Sequence, residues 1–248
     1  MEEKDREKGK RIRRTNYEVE RDIMNAVKNL VEERGFGNVT LSAVSQEAKV
    51  ELPVIYSRYG NLNGMFEAFV EKYNFWLNSI LENYIDDFKS GNYDIFLTKF
   101  LRDVTFELYK DKGMQQLILW EISENNAITS KTSKLREANT NMFVKFYENL
   151  FKDTDINFSA LTALVMGGTY YLVLHRDSST YCGVDFSTDE GKKELVDTID
   201  KIYSWVFSLI QPNKQMQEVA SKLKKRGVDF EIISESTGLS IEEISELA

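Results

Sequence analysis

Apolar side chains recur along most of this chain with the three- and four-residue spacing of amphipathic helices. In the first run the apolar positions are Ile23, Ala26, Val27, Leu30 and Val31. Thr15 and Glu18 have the spacing of a capping box, which predicts the start of a helix, and Gly35 predicts its end. The pattern predicts an all-α protein.

The same spacing predicts helices in the rest of the chain. Asn61 can cap a long helix that continues to Ser90. A second capping box, formed by Ser187 and Glu190, opens a late helix. Further helices are predicted at 93–110, 114–123, 132–151, 159–176, 190–210, 214–226, 230–237 and 240–247.

Residues 39–59 have the pattern of two short helices joined by a tight turn. Thr40 can cap the first helix, and Pro53 falls in the first turn of the second, where its missing N–H costs little. This is the helix-turn-helix pattern, in which the second helix enters the major groove of DNA. The positions that such a pair buries are Leu41, Val44, Ser45, Ala48, Val50, Ile55 and Tyr59.

Residues 16 to about 85 resemble the TetR/AcrR family of bacterial transcription regulators. The matching positions are Thr40, Val44, Ser45, Ala48, Val50, Ile55, Tyr56, Tyr59, Met65 and Phe66. The chain departs from the family at Lys49, where the turn usually has glycine, and at Leu62 and Asn63, where a phosphate-binding lysine is usual. Pro53 replaces a small residue.

Four segments are expected along the chain, and the resemblance implies the middle two of them. The four are a basic arm at 1–14, a DNA-binding helix-turn-helix domain at 15–61, a helical effector-binding and dimerisation domain at 62–211, and an additional helical tail at 212–248. The expected partners are a double-stranded DNA operator, a second copy of the chain and a small hydrophobic or aromatic effector.

The resemblance also implies which residues contact DNA. Hydroxyls and helix N-terminal N–H groups bind phosphate without net charge, and apolar side chains can contact thymine methyl groups. Simple packing against a neighbouring helix is the alternative for each of them. Phosphates are expected at Thr40, Ser42, Tyr56 and Arg58, and base edges at Leu52, Pro53 and Val54. Arg11, Arg13 and Arg14 form either an arm for the adjacent minor groove or a solubilising tail.

Two further groups of residues are expected in the helical domain. An aromatic effector pocket is predicted from Trp76, Phe100, Trp120, Phe143, Tyr147, Met166 and Tyr170, with ordinary helical core as the alternative. A dimer interface is predicted from Gly167, Gly168, Leu195, Ile199, Ile202, Tyr203, Val206 and Leu209, although in a monomer the apolar stripe of the last helix would face the chain's own body.

The net charge of −8 is unusual for a protein that binds DNA, but it is unevenly distributed. Residues 1–60 contain 12 Lys/Arg and 11 Asp/Glu, residues 61–211 contain 15 and 22, and residues 212–248 contain 5 and 7. Phosphates would therefore attract the first segment and repel the remainder.

An enzyme is not predicted. The sequence has one His, one Cys, no glycine-rich phosphate loop and no metal-ligand cluster, so no cofactor or metal is expected. A single cysteine excludes an internal disulfide and fits a reducing cytoplasm. The longest apolar run, at 161–174, is too short for a membrane span, and no membrane partner is expected.

The tail repeats the spacing of the helix-turn-helix segment. Ser45, Lys49, Val50 and Ile55 are separated by the same intervals as Ser234, Gly238, Leu239 and Ile244. Residues 229–248 contain six acids and no Lys or Arg, however, so phosphates would repel them. A packing or protein-interaction element is predicted.

The sequence therefore favours a transcription regulator that binds specific DNA sequences. The resemblance implies a repressor that a small-molecule effector releases from a palindromic operator. The alternative is a DNA-bound recruitment protein of the same fold that has no effector.

Overall fold

The computed structural model describes residues 14–210 and 212–247, and this part of the chain is helical. It contains no β-strand; one isolated bridge pairs Tyr181 with Val184 in a loop. The predicted all-α class is confirmed. The helices are α1 (Asn16–Arg34), α2 (Leu41–Ala48), α3 (Leu52–Tyr59), α4 (Leu62–Val70), α5 (Trp76–Glu82), α6 (Ile85–Lys89), α7 (Tyr93–Lys110), α8 (Lys112–Ser123), α9 (Ala127–Leu150), α10 (Phe158–His175), α11 (Asp189–Ser208), α12 (Pro212–Lys225), α13 (Phe230–Thr237) and α14 (Ile241–Glu246). Short 3-10 segments occupy Phe36–Asn38 and Glu71–Phe75.

The N-terminus of α1 is fixed by the predicted capping box. The Thr15 hydroxyl accepts the Glu18 N–H at 3.2 Å, and the Glu18 carboxylate accepts the Thr15 N–H at 2.7 Å. The hydrogen bonds that the Glu18 carboxylate accepts, from the Thr15 N–H first and then from the Thr15 hydroxyl at 2.9 Å, hold the pKa of Glu18 below its ordinary value. Two of the helix's otherwise unsatisfied N-terminal donors are thereby paired.

The structure corrects the long helix predicted after Asn61. Helix α4 ends at Val70, the 3-10 segment Glu71–Phe75 follows, and α5 starts at Trp76. The interruption coincides with close packing of the buried Tyr73 against Gly113, where a Cβ would lie 2.0 Å from the Tyr73 hydroxyl. Local propensity alone does not reveal such a contact between distant segments.

Two helix starts also differ from the sequence prediction. Helix α9 begins at Ala127, five residues before the predicted start, because the Asn126 side chain accepts the Ile128 and Thr129 N–H groups at 3.0 Å. The cap of α11 is Thr188, whose hydroxyl accepts the Gly191 N–H at 3.0 Å. The predicted capping box at Ser187 is absent, because the Ser187 hydroxyl donates to Asp185 instead.

The chain forms two compact units. Unit 1 comprises the described residues of Met1–Phe75 and Asp111–Leu135, and unit 2 comprises those of Trp76–Lys110 and Arg136–Ala248. This division differs from a boundary at residue 61, because α4 and α8 pack with the N-terminal helices. Trp120 of α8 stacks on Phe36 with ring centroids 4.3 Å apart and planes 8° apart.

Unit 2 is built around α7, α10 and α11. Val104 and Leu108 of α7 and Tyr203 of α11 are fully buried. The Tyr203 hydroxyl lies 3.0 Å from the Thr162 hydroxyl of α10, and burial raises the pKa of Tyr203 to about 12. This hydrogen bond fixes α10 beside α11.

Helix α10 is unusually apolar for its exposure. Among the described helices, it is the one whose length and composition would allow it to cross a membrane, and 17% of it is buried. Leu164, Gly167, Gly168 and Tyr171 are all exposed and share one face, because they are spaced by three and four residues. The face they form leaves apolar surface in contact with solvent.

The tail helices α12, α13 and α14 enclose a small core of their own. Its fully buried members are Ala220, Ile233, Leu239 and Ile244. The Ser234 hydroxyl donates to the Leu239 carbonyl at 2.7 Å, and Gly238 takes a left-handed conformation between the two helices. The tail therefore has the turn geometry of a helix-turn-helix.

Candidate nucleic-acid interface

The side chain of Ser45 spans the turn between α2 and α3. The Ser45 hydroxyl donates to the Val50 carbonyl at 2.7 Å, and Lys49 takes the left-handed conformation with φ of 53°. A non-glycine residue tolerates this conformation at modest cost. Val44 and Ile55 are fully buried on either side. Ala48 and Val50 are buried too, whereas the other predicted buried positions, Leu41, Ser45 and Tyr59, are half-buried.

The end of α3 is equally constrained. The Asn61 side chain accepts the Gly64 N–H at 2.9 Å and caps α4. A Cβ on Gly64 would lie 2.1 Å from the Tyr59 carbonyl oxygen, so only glycine permits this approach. Burial, and then the nearby charge of Glu20, raise the pKa of Tyr59 above its ordinary value. Helix α3 is therefore held at both ends while its outer face remains free.

That outer face carries most of the residues predicted to contact DNA. Tyr56 is 52% exposed and Val54 37%, and Pro53 and Arg58 are also exposed. Leu52 is half-buried, which leaves less of it for a base contact. At the start of α2, Ser42 is exposed, and the Thr40 hydroxyl accepts the Ala43 N–H at 3.2 Å as a cap.

A surface cavity of about 480 Å³ brings part of this set together. Pro53, Val54 and Arg58 line it with Ser57 and Asn16, two residues that the sequence pattern did not single out. The Arg58 guanidinium donates to the Asn16 side chain at 3.1 Å. Asn16 directly follows the cap of α1. Its position at a helix N-terminus, where anions bind, could have identified it from the sequence.

The structure corrects the role predicted for Arg14. Its guanidinium donates to the carbonyls of Ala48 at 3.1 Å and Lys49 at 2.6 Å, and it forms an ion pair with Asp22 at 2.9 Å. The side chain thus satisfies carbonyls at the C-terminus of α2, as cations commonly do, and is not free to enter a groove. Arg11 and Arg13 lie outside the described residues.

The seven residues predicted to line an effector pocket are divided between the two units. Trp120 belongs to unit 1, where it stacks on Phe36. Phe100 is core, and so is Tyr147, whose hydroxyl donates to the Tyr93 carbonyl at 2.8 Å. The remaining four, all half-buried in unit 2, are Trp76, Phe143, Met166 and Tyr170. Among the described residues, unit 1 lines surface cavities at Arg58–Thr132, Ala127–Leu135 and Asn16–Arg58.

The predicted dimer stripe on α11 is also corrected. Four of its residues are buried within unit 2 because α11 packs closely against α7. They are Leu195, Ile199, Tyr203 and Val206. Ile202 is half-buried and Leu209 is exposed, and with Trp205, which is 61% exposed, they form the outer face of α11. Gly167 and Gly168 on α10 are exposed in the single chain, so they are accessible to a second copy.

An all-helical chain with this turn and an exposed second helix has the architecture of helix-turn-helix regulators. No family model matches the chain. The biofilm operon icaADBC HTH-type negative transcriptional regulator IcaR of Staphylococcus epidermidis is 27% identical over 131 residues, which cover 51% of this chain and 67% of IcaR.

Solved structures are similar to the chain at lower sequence identity. The fatty acid degradation regulator FadR of Bacillus halodurans matches with a TM-score of 0.53 and 14% identity, over 74% of this chain and 96% of FadR. NalD, the secondary repressor of the MexAB-OprM multidrug efflux pump in Pseudomonas aeruginosa, matches with a TM-score of 0.48 and 16% identity. The match covers 75% of this chain and 95% of NalD. The predicted resemblance to the TetR family of regulators is confirmed.

Proposed function

We propose that this protein is a dimeric transcriptional repressor that binds a palindromic operator through α2 and α3 and is released by a small molecule. The observation that carries the proposal is the turn at Ser45–Val50, which buries one face of α3 and leaves Pro53, Val54, Tyr56 and Arg58 exposed. An exposed helix of this kind fits the major groove. We infer repression, as opposed to activation, from the similarity to IcaR, which is a negative regulator.

The exposed apolar faces of α10 and α11 support the dimer. Gly167 and Gly168 have no neighbouring atom within 4 Å of a Cβ position, so another helix could approach closely there. Leu164 is 75% exposed, and covering such residues removes apolar area from water. A two-fold dimer places two recognition helices on half-sites about one helical turn apart, near 34–36 Å.

Release by a small molecule requires a ligand that binds the DNA-free conformation better than the DNA-bound one. Trp76, Phe143, Met166 and Tyr170, the half-buried members of the predicted pocket in unit 2, remain candidates for an aromatic or hydrophobic effector. A shift of a few ångströms between half-site readers is enough to lower operator affinity, because the half-site spacing is fixed by the duplex.

Selection of bound sequences from random duplex DNA tests this function. We expect enrichment of an inverted repeat whose half-sites lie about one helical turn apart, with reduced recovery when a releasing ligand is present. Failure to enrich any duplex at low salt, where non-specific phosphate binding is strongest, would contradict DNA recognition. Enrichment of an unrepeated site would contradict the dimer.

A recruitment function is a second candidate, and the tail favours it. Ile232 and Ile241 are exposed on α13 and α14. They lie beside acidic residues in a segment that contains six acids and no Lys or Arg. An exposed apolar surface with one sign of charge is typical of a protein contact.

Ending the chain at residue 211 separates the tail from DNA binding. We expect operator affinity to stay within about threefold of the full chain, because phosphates repel the acidic helices α13 and α14. Fluorescence anisotropy with the selected operator measures this. Loss of binding by a truncated chain that keeps its helical circular dichroism would contradict the assignment.

A further inference from the structure

Unit 1 contains a second cavity, which Arg58 lines as well as the first. Its volume is about 430 Å³, within the range of small-molecule sites. The C-terminal end of α3, one face of α4, part of the 3-10 segment after it, and the beginning of α9 line it. All of these segments belong to one compact unit, so the cavity is defined by unit 1 alone.

Charges of both signs line this cavity without neutralising each other. Glu67 and Glu71, four residues apart, share one face of the chain, and Lys131 of α9 lies on another wall. Within the described part of the chain, none of these three side chains forms an ion pair within 4.0 Å. Arg58 supplies a second cation.

The cavity wall also offers a polar group and an apolar floor. The Tyr59 hydroxyl is buried and has no hydrogen-bond partner among the described residues, an arrangement that is uncommon in native proteins. Val70 and Ile128, both nearly fully buried, contribute apolar surface. A ligand with charged ends and an apolar middle matches these three features.

We propose that this cavity binds a small zwitterion, with an ammonium group at Glu67 and Glu71 and a carboxylate at Lys131 and Arg58. Charge-assisted hydrogen bonds at both ends would orient it. This inference rests on the proposed function for its consequence: a carboxylate that holds Arg58 competes with a DNA phosphate for the same guanidinium. The bound zwitterion therefore lowers operator affinity.

The proposal is tested directly with three probes of matched length. They are 6-aminohexanoate, which carries both charges, and hexylamine and hexanoate, which carry one each. We expect 6-aminohexanoate to bind with a dissociation constant of about 1 mM, typical of a ligand of this size, in NMR titrations of the full chain. The two single-charge probes should bind about tenfold more weakly, since each lacks one charged contact.

Variants assign the binding to this cavity. Glu67→Gln with Glu71→Gln should weaken 6-aminohexanoate about tenfold, while Glu82→Gln, an exposed glutamate of unit 2, serves as the matched control and should change nothing. All three positions are exposed, so the variants should fold as the wild type does. The proposal is overturned if 6-aminohexanoate does not saturate the protein at about 10 mM or if hexylamine binds as tightly as 6-aminohexanoate. It is also overturned if the double variant binds 6-aminohexanoate as tightly as the wild type does.

The DNA readout is kept separate from the binding readout. Saturating 6-aminohexanoate should raise the operator dissociation constant about tenfold for the wild type. The same concentration should raise it much less for the Glu67→Gln, Glu71→Gln variant, which binds the probe about tenfold more weakly. If the probe binds but no duplex does, the cavity site stands and the proposed function fails. If the operator is bound and the probe never saturates, the function stands and the site fails.

Discussion

Replacing Arg58 by alanine is expected to weaken operator binding about 150-fold. Arg58 is exposed at the end of α3 and lines the same surface cavity as Pro53 and Val54. A hydrogen bond to a charged group contributes about 1.5 kcal/mol at the lower end of its range. A dimer loses two such contacts, or about 3 kcal/mol, which corresponds to this factor. The slope of log K against log salt should fall by about 2, because two phosphates are released.

Arg34→Ala is the matched control for this measurement. Arg34 and Arg58 are both exposed arginines in the last turn of a unit 1 helix, so each variant loses the same charge and the same interaction with a helix C-terminus. Arg58→Lys keeps the charge and should retain the wild-type salt slope. Fluorescence anisotropy at several salt concentrations gives both quantities. Equal affinities for Arg58→Ala and Arg34→Ala would remove Arg58 from the interface.

The helix-turn-helix could be predicted because its signals are local. The Ser45 hydroxyl reaches the Val50 carbonyl across five residues, and the tail repeats the arrangement with Ser234 and Leu239, again at 2.7 Å. A small polar residue, a left-handed position and a buried apolar residue at fixed intervals specify this turn wherever they occur. The tail shows that the same geometry can form on an acidic surface, so the turn alone does not establish DNA binding.

The parts that could not be predicted depend on contacts between distant segments. Trp120 has the sequence context of a core aromatic residue in any bundle, and only the fold pairs it with Phe36, 84 positions earlier. The sequence of an apolar stripe likewise does not identify the element that packs against it. On α11 the stripe that includes Tyr203 is covered by α7, and the exposed face lies at Trp205 and Leu209 instead.

The same limit applies to the arm. Arg14 belongs to a basic cluster in the sequence, which favours contact with phosphate. In the structure its guanidinium is held by Asp22 and by two carbonyls at the end of α2. Neighbouring charge in sequence therefore did not identify the partner, because backbone carbonyls at a helix end carry no signature in the sequence.

Introducing glutamate at Leu164 and Trp205 together is expected to convert the dimer to a monomer. The hydrogen bond between Tyr203 and Thr162 joins α10 to α11, and each substituted residue is two positions further along its helix. Two residues correspond to about 200° of rotation in a helix, so both side chains project away from that contact. Burying an unpaired carboxylate costs several kcal/mol, and a two-fold interface would contain four.

Loss of the dimer should lower operator affinity about 100-fold or more. Each monomer then binds a half-site independently, and the gain from linking two DNA-binding domains is lost. Ile122→Glu is the control: Ile122 is 74% exposed, against 75% for Leu164, but lies in unit 1. Light scattering at micromolar concentration reports the mass, and circular dichroism reports folding. A double variant that remains dimeric would place the interface elsewhere, and a monomeric wild type would contradict the dimer.

Recovery of the wild type in a membrane fraction would instead assign the apolar face of α10 to lipid, since that helix is long enough to span a bilayer.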